Sequence, residues 1–157
     1  MKRSIFLVLG IFLLAALAVG MDRDNDVLRV SDGAAISFNR MHDEVKKARI
    51  IFVGEVHDAT EHHRRELEII RALHESDTPL AIGLEMFRAD SQQALDDWVR
   101  GASSLDQFLP VYYDNWRLPW PLYRDIFVYA REHGIPLVGL NIPDTISEQV
   151  ARRGFQA

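Results

Sequence analysis

The chain has no cysteine among its 157 residues. That absence removes disulfides as a source of stability, removes zinc sites built on thiolates, and leaves His, Asp, Glu and Tyr as the available metal ligands. It also removes the lipid-attachment cysteine of a bacterial lipoprotein. Basic residues are in deficit: 18 Lys and Arg stand against 23 Asp and Glu, a formal charge of −5. An acidic chain gains nothing from counterion release, which excludes nucleic acid or an anionic membrane surface as its main partner. Low-complexity tracts and Pro/Gly/Ser-rich linkers are missing too, so one compact unit is expected. Long apolar runs are missing everywhere except at the N-terminus.

That one run, Ile5 to Val19, follows Lys2 and Arg3, ends in Ala18-Val19-Gly20, and is followed by charged Asp22, Arg23 and Asp24. A basic start, an apolar stretch and small residues at the cleavage positions make a secretory signal peptide, expected over residues 1–20. The other reading is an uncleaved anchor, although the run is shorter than the about 20 apolar residues of a typical span. Either way the remainder is expected outside the cytoplasm, in the periplasm, meeting membrane only through an uncleaved signal segment. Residues 21–157 are of a size for a single domain with a core of its own.

Three segments share one plan: Ile50 to Asp58 (IIFVGEVHD), Pro79 to Phe87 (PLAIGLEMF) and Pro136 to Pro143 (PLVGLNIP). Each has an apolar run without alternation, then a glycine, then a polar group within two residues: Gly54-Glu55, Gly83-Leu84-Glu85, Gly139-Leu140-Asn141. Such runs read as strands buried on both faces. Helical patterns fill the intervals. Asp58 with Glu61 makes a capping box ahead of Leu67, Ile70 and Leu73, and Pro121 and Gly134 bracket another helix. The alternation predicts an α/β fold: a mostly parallel sheet with helices on both faces, three βα units, and a short N-terminal edge strand at residues 27–30. A sheet this narrow leaves such strands at an open edge, so the chain is expected to be the N-terminal part of a longer domain, truncated at its C-terminus.

In an open parallel sheet, ligands bind outside the carboxyl ends of the strands. That rule gathers Glu55, His57, Asp58, Glu85 and Asn141 on one rim, joined by His62 and His63 of the following helix. Carboxylate and imidazole suit zinc, iron or manganese, or a base that activates metal-bound water. Plainer roles stand beside these. Glu55 and Glu85 suit helix N-termini, His62 suits solvent, and His63 shares a face with Leu67 and Ile70. His74 and His133 end helices, where a cation favours the dipole, and are assigned no role. Residues 103–120 are expected to be irregular and aromatic, with Phe108, Tyr112, Tyr113, Trp116 and Trp120. They form either a loop folded on the core or a cover over a flat apolar ligand. Tyrosinate and histidine are both axial ligands of haem iron.

Taken in order, VSDGAAISF, IIFVGEVHD and its helix, GLEMF, the NW–WPLYRD segment and IPLVGLNIP resemble the ChaN-type family of the Tiki/TraB superfamily, from roughly Val27 to Gly154. Gly54 and His57 match its Gly-x-x-His element. The resemblance implies an α/β haem-binding protein linked to iron uptake, with Glu55, His57 and Glu85 at the acidic and histidine motif positions. The candidate haem contacts are His57, His62, Tyr112, Tyr113, Trp116 and Tyr123, and the candidate metal ligands are Glu55, His57 and Glu85. The superfamily's hydrolytic branches imply an alternative: an esterase- or peptidase-like hydrolase in which those three hold Zn or Mn and its water. Family members carry a second Gly-x-x-His element that nothing after Asn141 supplies. A haem shared across a homodimer accommodates that gap, whereas a hydrolase without half its ligands is inactive.

Overall fold

The structure, a computed structural model, describes residues 27–77 and 79–155. The expected signal segment, residues 1–20, lies outside them. The chain divides into two units, residues 1–41 and 42–157.

In the first unit, β1 (Val27–Arg29) and β2 (Ala34–Ile36) pair antiparallel, Val27 opposite Ile36. Asp32-Gly33 makes the turn. Gly33 takes a φ of +71°, which L side chains rarely adopt. Asp32 Oδ1 accepts from the Ala34 amide at 3.1 Å, and its other oxygen meets the Arg29 guanidinium at 2.5 Å. The Arg29 hydrogen bond, with the Ala34 amide behind it, holds the Asp32 carboxyl down at about 2. The expected edge strand thus pairs within its own two-stranded hairpin. Ser37 Oγ accepts from the Arg40 amide at 3.1 Å, capping α1 (Phe38–Val45) as its position suggests.

The second unit contains α2 (Thr60–Glu75), β3 (Ile82–Arg88), a 3-10 turn (Ala89–Ser91), α3 (Gln92–Val99), α4 (Leu105–Asn115), α5 (Trp120–His133), β4 (Leu137–Asn141) and α6 (Asp144–Arg153). β3 and β4 are parallel, with Ile82 opposite Leu137, and a parallel pair requires the helical crossover that α3 to α5 supply. This parallel sheet with helices is the expected α/β class. Gly139 sits where a Cβ would fall 2.7 Å from the Arg88 carbonyl oxygen, so glycine permits the close approach of the two strands. The Gln92 side chain clips the outer edge of β4, donating to the Leu137 carbonyl at 2.8 Å and accepting from the Gly139 amide at 3.0 Å.

The core is aromatic. Phe87 of β3 meets Phe108 and Phe127 at ring separations of 5.9 and 5.7 Å, and Trp98 stacks on Phe108 at 4.5 Å. Such pairs add about 0.5–1.5 kcal/mol each beyond the area they bury. Trp98 Nε1 donates to the Phe127 carbonyl at 2.9 Å, so its one polar atom is satisfied inside the core.

Three expectations are corrected. Ile50 to Glu55 pairs with no strand among the described residues, and Phe52 is 92% exposed. β-branched residues favour extended backbone, but a strand exists only where a neighbour takes its N–H and C=O groups. Two of the three expected βα units therefore contribute paired strands. Burial on both faces is also not found among the described residues: Leu84 and Leu137 are buried, whereas Glu85, Val138 and Leu140 on the opposite side are exposed. Finally, residues 103–120 contain a helix, α4. Ser104 Oγ accepts from the Gln107 amide at 3.3 Å and Gln107 Oε1 accepts from the Ser104 amide at 2.9 Å, a full capping box. The box expected at Asp58 and Glu61 does not form, because α2 begins later, with Ala59 at its N-cap.

Candidate functional site

Glu55 is the hub of the polar residues between the Gly54–Asp58 stretch, the first turns of α2 and the start of α5. Its Oε1 accepts from the Tyr123 hydroxyl at 2.7 Å and stands 2.7 Å from His57 Nδ1. Its Oε2 lies 2.7 Å from His63 Nδ1 and is shielded from solvent without a hydrogen-bond partner. His63 is 4% exposed; its Nε2 donates to the His57 carbonyl at 3.0 Å, and its Nδ1 also stands 3.4 Å from Glu66 Oε2. The Tyr123 ring lies 4.3 Å from that of His63. Burial pushes the Tyr123 phenol up, and the bond to Glu55 pushes it further, so it stays neutral and donates. Burial followed by repulsion from Glu55 pushes the Glu66 carboxyl up as well.

The hydrogen bonds sort the imidazoles by which nitrogen is free. A carboxylate only accepts, so His57 carries its proton on Nδ1 and presents a lone pair at Nε2. Its side chain is 50% exposed, and the ring meets the edge of Trp116 at 5.0 Å. His62 is the reverse. Its Nδ1 accepts from the Val56 amide at 2.8 Å, which places the proton of the neutral ring on Nε2 and removes the lone pair a metal would need. His57 opens onto a cleft of about 630 Å³ lined by Val56, Asp58, Asn115, Trp116, Arg117 and Leu118.

The candidates from sequence are thus divided. His57 and Trp116 line the cleft. Tyr123 lies beneath it, 1% exposed, as a partner of Glu55 and not a surface contact. Tyr112 is a core residue: α4 turns it inward, its hydroxyl donates to the Leu118 carbonyl at 3.1 Å, and burial pushes its phenol up. Tyr113, on the next position, is 47% exposed and accepts from the Trp120 amide at 3.2 Å. Glu85 is exposed on β3, opposite buried Leu84. Among the described residues, the set Glu55, His57 and Glu85 is not within coordination reach. Glu55, His63 and Glu66 are, with ligand atoms within 4.8 Å of one another. The hydrolase alternative therefore lacks the ligand set on which it was built. Sequence reasoning missed Glu66, Arg117 and Leu118. The signal for Glu66 was present: it lies three residues after His63 and one before Leu67, on the buried side of α2.

Comparison with known proteins agrees with this architecture. The family model described as haem-binding uptake, Tiki superfamily, ChaN matches residues 41–157. A solved structure of cofacial haem binding to ChaN of Campylobacter jejuni superposes with a TM-score of 0.71 at 21% identity, a likeness of fold. The match covers 84% of this chain and 54% of that one, so the chain spans about half the length of the solved relative. No curated protein matches the chain.

Proposed function

The chain belongs to the ChaN family of haem-binding uptake proteins in the Tiki superfamily, and from that premise we propose that it binds haem in the cleft at His57, with His57 Nε2 as the axial ligand of the iron. One observation carries this assignment: His57 Nδ1 donates to Glu55 at 2.7 Å. A histidine that ligates a metal through one nitrogen ordinarily donates through the other to a carboxylate or carbonyl, which fixes its tautomer and raises its basicity. His57 is the cleft imidazole with that arrangement, and the Tyr123 hydroxyl holds the carboxylate in place behind it. The lining suits a porphyrin. Val56, Trp116 and Leu118 offer apolar surface to its face, and Arg117 offers a cation to a propionate. The volume lies within the range of small-molecule sites, roughly 300–1,000 Å³.

Lys2, Arg3 and the apolar run Ile5 to Val19 support export to the periplasm, and membership of a haem-binding uptake family is the support for a place in iron uptake, by way of the iron that haem carries. A cleft open to solvent covers one face of a porphyrin and leaves the other face free. Two copies meeting there would place their haems face to face, in keeping with the cofacial haem binding of the Campylobacter jejuni protein.

Substitution tests the ligand. His57→Ala should weaken ferric haem binding by at least roughly tenfold and shift the Soret band. Tyr113→Phe should leave both in place. Loss of the Soret band in Tyr113→Phe, with His57→Ala unaffected, would move the iron to the phenolate.

A further inference from the structure

We propose that His74 and His133 form a site for one divalent transition-metal cation at the opposite end of α2 from the cleft. The inference does not depend on haem. His74 lies in the last turn of α2 and His133 in the last turn of α5. Their ring centroids are 5.0 Å apart, with planes at 76°. Tyr129 holds both rings: its carbonyl stands 2.9 Å from His133 Nδ1, and its hydroxyl stands 2.9 Å from His74 Nδ1.

These contacts decide where the lone pairs are. A carbonyl can only accept, so His133 carries its proton on Nδ1 and its lone pair on Nε2. A phenol oxygen accepts as readily as it donates, so His74 can take the same tautomer against the Tyr129 hydroxyl. One tyrosine then supplies both imidazoles with the outer hydrogen bond that metal-ligating histidines make.

The spacing also suits a shared ion. Metal–nitrogen bonds of about 2.0–2.1 Å, extended by about 1.1 Å to each ring centre and opened to a tetrahedral angle, separate two ring centres by about 5 Å. Electrostatics point the same way, because each helix C-terminus carries roughly half a negative charge and two such ends meet here. Arg71 opposes this, lying 5.3 Å from the centre of the Tyr129 ring. Arg131 is turned away, over Trp98 and onto the Ser103 carbonyl. Imidazole ligands select Zn²⁺, Ni²⁺ or Cu²⁺ over harder cations, with water completing the coordination.

The test is calorimetric titration of Zn²⁺ into the purified chain, made without a polyhistidine tag and stripped of metal by a chelator. The wild type is compared with His74→Phe and His133→Phe, which keep an aromatic ring in place, and with Glu66→Gln, which disables the separate group of Glu55, His63 and Glu66. The expected result is saturable uptake of a single ion, weakened by roughly tenfold or more in each Phe variant and unchanged in Glu66→Gln. No uptake by the wild type, uptake unaltered in His133→Phe, or uptake lost in Glu66→Gln would each overturn the site. His133 is exposed, so His133→Phe alone decides should His74→Phe fail to fold by circular dichroism.

Discussion

At the scale of single residues, Glu55 determines what its neighbours can do. Glu55→Gln keeps the shape and gives up the charge, which should weaken ferric haem binding by roughly 10- to 100-fold while His57 remains present, as read in a hemin titration. Arg117 makes a narrower prediction. If it meets a propionate at the exposed rim, Arg117→Gln should cost about 1 kcal/mol, roughly fivefold in affinity for hemin, and nothing for hemin dimethyl ester. Glu66 gives a stability signature. Its carboxyl is pushed up by burial and by Glu55, so the folded chain holds that proton more tightly than the unfolded chain. The contribution is therefore fully favourable below the ordinary glutamate value of 4.5 and is lost as pH rises through the raised value. The melting temperature of Glu66→Gln should accordingly gain on that of the wild type between pH 4 and pH 7. A constant difference across that range would contradict this. The sequence announces His57 through its motif. It does not announce that His62 and His63 have opposite fates, because one residue of helix turns His63 into the core and leaves His62 to a backbone amide.

At the scale of elements, patterns that a segment satisfies by itself were legible and those that need a partner were not. The Pro-in, Gly-out signature of α5 is present: Pro121 is at its N-terminus and Gly134 closes it at a φ of +64°. Gly134→Ala should cost about 1 kcal/mol for placing a side chain in the left-handed region, measured by chemical denaturation. The stretch from Ile50 is the opposite case. Its composition dictates extended backbone, but ladder pairing depends on what lies beside it, and composition is silent on that. α4 was hidden by Pro110 within it and by the density of aromatics, although Ser104 and Gln107 stand at capping-box spacing. Ser104→Ala should destabilise the chain by about 1 kcal/mol. A cost near zero would mean that α4 is held by Phe108 and Tyr112 packing alone.

At the scale of the whole molecule, the alternation of strand and helix and the order of the motifs give the α/β class and the family, because both are properties of the chain from end to end. The cleft is less legible. It is formed by the turn at His57 and the stretch after α4, more than fifty residues apart in sequence, and only the fold brings them together. The central claim is that this cleft binds haem, and the most direct test is a hemin titration of the purified chain followed by Soret absorbance, with serum albumin as the non-specific baseline and circular dichroism to show that the chain is folded. The account predicts a saturable, stoichiometric Soret shift well above that baseline, diminished in His57→Ala. A folded chain with no shift beyond the baseline would contradict it.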